Sequence, residues 1–245
     1  MEMKANYALV GKRISYSFSQ KYFTQKFKKL FLKNHNYLLL DLEDLSDVKE
    51  RVKKENLKGF NVTIPYKEQI ISFLDNLSPE AKQIGAVNTV KITNGKWIGY
   101  NTDAYGFEKT LELHRKEHHN SALILGNGGA AKAVKFVLDK LKIPYQVIER
   151  KSSLNFETLT KSEVESASII VQCTPVGTFP DLENSVPFPF EALGTKHLVI
   201  DLIYNPEYTQ FIKKASDQGA KCLNGYFMLE QQAEKAWSLW NQSSM

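Results

Sequence analysis

Cysteine is scarce: Cys173 and Cys222 are the two thiols among 245 residues. Both stand in apolar, strand-like runs. That points to two buried, reduced thiols and a cytoplasmic setting, not to a disulfide framework. Long hydrophobic runs are missing as well. The stretch LFLKNHNYLLLDL is broken by Lys33, Asn34 and His35, so no membrane partner is expected. The opening MEMKANYALVGK lacks an apolar core followed by a small-residue cleavage site, so no secretory signal is expected. There is no internal repeat, no low-complexity stretch and no Pro/Gly-rich linker. Hydrophobic residues make up 42% and charged residues 24%. That is the balance of an ordinary globular protein, long enough for one large domain or two modest ones.

A clustered basic stripe is also absent, although the formal net charge is +5. Lysines are spread along KYFTQKFKKLFLK and DVKERVKKENLK between apolar positions, the pattern of solvated helix faces. No nucleic-acid partner is expected on that pattern. A mild positive field would help collect a carboxylate substrate and a phosphate-rich cofactor.

What is present centres on LILGNGGAAKAV, residues 123–134. An apolar strand end runs into Gly126, Gly128 and Gly129, and then into a helical pattern with Ala131, Val134, Val137, Leu138 and Leu141 on one face. Strand, glycine turn and helix are the parts of a dinucleotide-binding unit. The glycines let backbone N–H groups approach a pyrophosphate, and the helix N-terminus adds its positive end. Ala131 replaces the last glycine of the usual spacing and still permits close helix–strand packing.

The remainder alternates. Before the turn the pattern predicts strands at YALVG, NYLLLDL and GFNVTIP. Helices are expected over 18–32 and 46–55, the latter with Ser46 as N-cap, and a short one near 67–74. AVNTVKI and KWIGYN, joined by Thr93-Asn94-Gly95, read as a hairpin. Asp103 then opens a helix as cap or first-turn acid. After the turn come YQVIER, a mixed loop, ASIIVQCTP, HLVIDLIY, a helix ending at Gly219, AKCLNG and a closing helix. This is an α/β chain in two units with parallel sheets expected. Strand carboxyl ends, where such folds bind ligands, would carry the site.

Several residues could do chemistry there. Asn61 and Thr63 are expected on one strand face, with Lys67 following, either as an ammonium aimed at a ligand or as a surface lysine. Asn88, in an apolar run, needs a partner: a ligand hydroxyl or a backbone group. Asp103 is a helix cap or, with Lys67, half of a proton-handling couple. Ser17 and Ser19 could hold a carboxylate, or Ser19 could cap the next helix. His114 and His118 have an i, i+4 relation, but no further ligand completes a metal site, and LHRKEHH reads as a solvated helix end. No metal is implied. After YQVI, Glu149 would suit the ribose 2′-OH of NAD and Arg150 the 2′-phosphate of NADP. Residue chemistry leaves both open.

Seven segments in order, NVTIPYK, GAVNT, GYNTDAYG, GNGGAA, TPVG, DLIYNP and NGYFMLEQQA, resemble landmarks of the shikimate dehydrogenase family. The resemblance covers nearly the whole chain. It implies an N-terminal α/β substrate-binding domain over 1–103, joined by a closing helix over 226–245, and a Rossmann-like NADP-binding domain over 104–225. It implies Lys67 and Asp103 as the catalytic pair. It implies that Ser17, Ser19, Thr63, Asn88 and Gln232 contact the substrate, with Tyr204 nearby. Gly126, Gly128, Gly129 and Ala130 would meet the pyrophosphate, Arg150 the adenosine phosphate, and Thr174, Val176 and Gly225 the nicotinamide. The chain departs from the family pattern at Arg13, Tyr16 and Gln20 around the serines, at Glu149-Arg150-Lys151 and at Thr178.

The activity implied is reversible, NADP-dependent reduction of 3-dehydroshikimate to shikimate, a step of aromatic amino-acid biosynthesis, by a cytoplasmic monomer or homodimer. The alternatives are a quinate/shikimate dehydrogenase with NAD use and a non-catalytic nucleotide-binding regulator on the same fold.

Overall fold

The computed structural model describes residues 5–15 and 17–242; Tyr16 lies outside the described residues. The chain divides into two compact units, Met1–Thr102 with Ala233–Met245, and Asp103–Gln232.

The first unit begins with β1 (Ala5–Gly11), α1 (Phe18–Lys29), β2 (His35–Asp41), α2 (Val48–Lys54) and β3 (Leu57–Val62). A 3-10 turn over Gln69–Phe73 leads to β4 (Asn76–Leu77), α3 (Pro79–Ile84), β5 (Thr89–Thr93) and β6 (Lys96–Tyr100). Their order in the sheet is β2-β1-β3-β5-β6-β4. The sheet is mixed: the parallel pairing expected from the alternation holds for β1, β2 and β3, and the expected hairpin is the β5–β6 pair. β1 pairs in parallel with β2 and β3, whereas β5 runs antiparallel to both β3 and β6. The cause is the hairpin: Thr93 pairs with Lys96 across Asn94 and Gly95, both at positive φ, and a two-residue turn of this kind reverses the chain.

β1 is buried along its whole length, and its side chains alternate between two cores. Ala8 and Val10 join Phe60, Val62, Tyr66 and Val90. Tyr7 and Leu9 join Phe23, Phe27, Tyr37, Ala236 and Trp240. The Trp240 ring stacks on Tyr7 at 4.6 Å, and its Nε1 donates to the Val90 carbonyl at 3.0 Å. A Cβ on Gly59 would lie 2.3 Å from that nitrogen, so the bare backbone at Gly59 is what lets the indole reach the sheet. The Glu234 carboxylate takes the Lys26 ammonium at 2.6 Å and the Tyr22 hydroxyl.

Other local expectations shift for identifiable reasons. The Asp44 carboxylate accepts the Ser46 N–H at 2.8 Å, so Ser46 lies in a side-chain turn and does not cap α2, which starts after Asp47. α1 stops at Lys29, before Phe31 at φ 57. β3 ends at Val62, and Thr63 opens a turn whose carbonyl accepts the Tyr66 N–H, with a cis bond before Pro65. Thr63 lies one residue past the strand end, with its N–H still on the Val10 carbonyl and its methyl beside Gly11 of β1.

The second unit contains α4, which starts at the division (Thr102–His114), then β7 (Ala122–Leu125), α5 (Gly129–Lys140), β8 (Tyr145–Ile148) and α6 (Lys161–Ser166). It continues with β9 (Ile169–Gln172), β10 (Leu198–Asp201), α7 (Gln210–Asp217), β11 (Lys221–Leu223) and α8 (Tyr226–Asn241), whose last residues belong to the first unit. The sheet order is β11-β10-β9-β7-β8, with parallel pairs. Within the segment read as a mixed loop, Thr160 and Glu163 form a reciprocal capping box that starts α6. His119 is buried and its Nδ1 accepts the Lys116 N–H at 2.9 Å, which corrects the reading of LHRKEHH as wholly solvated. Both cysteines are free and half-buried, less enclosed than expected. No helix among the described residues is long and apolar enough to cross a membrane.

Asp201, at the end of β10, is fully buried. Its carboxylate accepts the Ile203 N–H at 3.0 Å and the Thr209 hydroxyl at 2.7 Å, and Thr209 Oγ1 in turn caps α7 through the Ile212 N–H. Burial pushes the Asp201 carboxyl up to about 6, against the pull of these two donors. The folded chain thus holds this proton more tightly than the unfolded chain. Its contribution to stability is present below the ordinary carboxylate range and is lost as pH rises through about 6. Thr209→Val removes the cap and one donor together. It should cost ~1–3 kcal/mol, with a larger loss near pH 7 than near pH 5 because the charged carboxylate misses the donor more. Urea denaturation midpoints at the two pH values check this; equal losses at both would contradict it.

Candidate active site

In the first unit the expected substrate-side residues gather at the carboxyl ends of β1, β2 and β3. Asp41 closes β2, and its carboxylate accepts the N–H groups of Arg13 and Ile14 at 2.7 and 3.2 Å. That fixes the loop leading to Ser17. Ser17 is the cap of α1: its Oγ accepts the Ser19 N–H at 3.2 Å, so the capping role expected for Ser19 belongs to Ser17. Gln20 stands where the family pattern has proline, and its amide donates to the Tyr37 carbonyl at 3.2 Å.

Beneath the serines lies a buried polar network. The Tyr37 hydroxyl donates to Asn61 Oδ1 at 2.8 Å. Asn61 Nδ2 donates to the Asn88 carbonyl at 3.2 Å and to Thr89 Oγ1 at 3.0 Å. Asn88 Oδ1 accepts the Thr102 N–H at 2.7 Å, and the hydroxyls of Thr89 and Thr102 lie 3.2 and 3.1 Å from it. Burial raises the Tyr37 phenol well above its ordinary range, while the Ser19 hydroxyl acts in the opposite direction. The backbone of Asn88 is clamped as well: its carbonyl accepts the Val62 N–H at 2.9 Å and its N–H donates to the Tyr100 carbonyl at 3.1 Å.

Thr63 is half-buried and its N–H donates to the Val10 carbonyl at 2.9 Å. Lys67, also half-buried, is tied to the same cluster by backbone, because its carbonyl accepts the Val87 N–H at 2.7 Å, one residue before Asn88. The first unit thus brings together Ser17, Ser19, Thr63, Lys67 and Asn88. Asn61, expected beside Thr63 as a group that could do chemistry, instead supports the cluster from within, together with Thr89 and Thr102. The signal for Asn61 and Thr89 was polarity inside otherwise apolar strands.

In the second unit β7 has β8 on one side and β9 on the other. The chain reverses direction across the sheet at β7, so a crevice opens at its carboxyl end, the position where folds of this kind bind ligands. The glycine turn lies there. Gly126 has φ 102, and its N–H donates to the Ile148 carbonyl at 2.8 Å. A Cβ on it would come 2.8 Å from Thr174 Cγ2, so the turn presses against the residues following β9. Gly128 precedes α5, with no atom within 4 Å of where a Cβ would stand, and Gly129 and Ala130 begin the helix. This open backbone at a helix N-terminus fits a pyrophosphate.

Thr174 Oγ1 accepts the Val176 N–H at 3.3 Å, and the buried Gln172 side chain accepts the Thr174 N–H at 2.5 Å. Together these bonds shape the TPVG turn. Gly225 is buried just before α8, its N–H donating to the Ile203 carbonyl at 2.9 Å. Arg150 and Lys151 are exposed after β8. Asp103 is buried in the first turn of α4, where a carboxylate complements the helix dipole. Tyr204 and Gln232 are half-buried, in the loop after β10 and on α8. Among the described residues no group of three or more His, Cys, Asp or Glu could hold a metal ion.

A family model described as the shikimate dehydrogenase substrate binding domain matches residues 9–90. The shikimate dehydrogenase (NADP(+)) of Methanococcus maripaludis is 39% identical to this chain over 95% of it and 90% of the relative. The chain belongs to the shikimate dehydrogenase family. A solved structure of the Thermus thermophilus shikimate 5-dehydrogenase, in complex with NADP(H) and shikimate, matches with TM-score 0.86 and 32% identity over 97% of this chain and 93% of that one. Quinate dehydrogenase from Corynebacterium glutamicum, in complex with NAD, matches with TM-score 0.86 and 25% identity over 97% and 94%.

The Asn61 amide joins three strands, so Asn61→Ala leaves the Tyr37 phenol and the Thr89 hydroxyl short of partners in a desolvated place. A loss of ~2–4 kcal/mol is expected. Chemical denaturation checks it, and an unchanged midpoint would show that the network is dispensable.

Proposed function

We propose that this chain catalyses the reversible, NADP-dependent reduction of 3-dehydroshikimate to shikimate. The observation that supports this most is the clustering of the NVTIPYK segment with Asn88, through the Lys67–Val87 backbone bond and the buried amide network. That clustering occurs in a chain whose NADP-named relatives match along nearly its whole length. Two free thiols fit a reducing, cytoplasmic setting.

The first unit supplies the substrate side. Ser17 and Ser19 donate hydroxyls to the substrate carboxylate, while Thr63, Asn88 and Gln232 meet its ring hydroxyls, with Tyr204 alongside. The fixed amide of Asn88 is oriented before substrate arrives, so little ordering remains to be done on binding. Lys67 places an ammonium at the reacting oxygen. In the reductive direction it gives a proton to that oxygen or holds its developing negative charge; in the oxidative direction it receives the proton. Asp103 is the carboxylate of the proton-handling couple and accepts a hydrogen bond from the reacting ring's hydroxyl.

The second unit supplies the cofactor side. Gly126, Gly128, Gly129 and Ala130 hold the pyrophosphate, and Arg150, helped by Lys151, holds the adenosine 2′-phosphate. Thr174, Val176 and Gly225 border the nicotinamide. Bound NADP provides the carbon that gives or takes the hydride.

The second reading, a quinate-directed enzyme using NAD, is favoured by one observation: a carboxylate, Glu149, directly follows β8. Relative rates with shikimate and quinate, each with NADP and with NAD, separate the two. Lys67→Ala should lower kcat by ~100-fold or more, the scale of a positioned proton donor, while the thermal unfolding midpoint stays near that of the unaltered chain. Turnover near that of the unaltered chain would remove Lys67 from the mechanism.

A further inference from the structure

Asn127 stands between the first two glycines of the turn. Its Nδ2 donates to Glu149 Oε2 at 2.9 Å, and its Oδ1 accepts from Lys135 Nζ at 2.7 Å. A carboxylate accepts and an ammonium donates, so one orientation of the amide serves both neighbours and the flipped one serves neither. The three groups come from separate elements. Asn127 follows β7, Lys135 lies on α5, and Glu149 follows β8, whose Ile148 pairs with Leu125. The pairing of β7 with β8 brings the turn and Glu149 side by side. Beyond Glu149 come the exposed cations Arg150 and Lys151.

Left to itself, a carboxylate at the end of this strand would accept from a ribose 2′-OH and repel a 2′-phosphate. Here one of its oxygens is bound to the turn, and its charge is offset by an ammonium acting through the amide. We propose that Asn127 and Lys135 are positioning residues for cofactor selection. They tether Glu149 to the glycine turn and so leave the 2′-phosphate of NADP to Arg150 and Lys151. This rests on the NADP reading above and names the device that reconciles Glu149 with it.

The test uses the adenosine end alone. Calorimetric titration of the full chain with adenosine 2′,5′-bisphosphate and with 5′-AMP gives a selectivity ratio that does not depend on turnover. Asn127→Ala should reduce the preference for the bisphosphate ~5-fold or more, the scale of coupling between neighbouring charged groups. In the Glu149→Gln background the same substitution should leave the ratio unchanged, because the carboxylate it releases is gone. Lys135→Met should shift the ratio in the same direction as Asn127→Ala.

An unchanged ratio in Asn127→Ala would overturn the proposal. So would an equal shift in both backgrounds, which would mean that Asn127 meets the ligand itself. If the unaltered chain binds the two ligands equally, the NADP reading fails, and the inference fails with it. If the unaltered chain prefers the bisphosphate and the variants do not change that, the inference alone fails. Thermal midpoints of the variants confirm that the turn, which is exposed at Asn127, remains folded.

Discussion

The amide of Asn61 is the constraint on which the substrate-binding unit depends. It lies out of water between Tyr37, Asn88 and Thr89, and its oxygen and nitrogen are both bonded. A buried amide is costly unless its donors and acceptor are satisfied. Tyr37, Asn88, Thr89 and Thr102 therefore have to occupy set places relative to it. Ser19 is coupled to the network through Tyr37, and Lys67 is coupled to Asn88 through Val87. A group meant to recognise hydroxyls in a partly dry site gains from being oriented in advance, and this network provides that orientation.

The nucleotide-binding unit solves a related problem with backbone instead of side-chain amides. Strand order puts an open crevice at the end of β7, and the positive φ of Gly126 turns the chain there. Buried polar side chains hold the neighbouring strand ends in shape. Gln172 fixes the turn after β9, and Asp201 with Thr209 fixes the path from β10 into α7. Glu149, which seen alone argues for NAD, is bonded to Asn127 of the turn. A residue type at a strand end therefore does not decide cofactor choice until its bonding partners are known.

Much of this was legible in the sequence. Apolar runs, the Asn94-Gly95 signal and the glycine turn carried most of the elements, because each reflects local chemistry. Motif order carried the family and the candidate residues, and it covered Ser17 and Lys67, which residue chemistry alone left ambiguous. What could not be read depended on contacts distant in sequence. The antiparallel pairing of β5 with β3 falls in this class. So do the clamp of Asp41 on the serine loop, the burial of His119 and the tether between Asn127 and Glu149. The capping box of Thr160 with Glu163, by contrast, is local and was overlooked in a segment read as loop. Ser46 failed as a cap because Asp44, two residues earlier, takes its N–H. Composition and periodicity do not register that competition.

The central claim is that this chain moves a hydride between NADP and the carbon that bears the reacting oxygen of shikimate. The direct measurement is mass spectrometry of the product formed from 3-dehydroshikimate and NADPH carrying deuterium at the transferable position of the nicotinamide. The account predicts shikimate with a single deuterium, on the carbon whose carbonyl was reduced. Failure to form shikimate with the folded chain, or shikimate without the label, would contradict it.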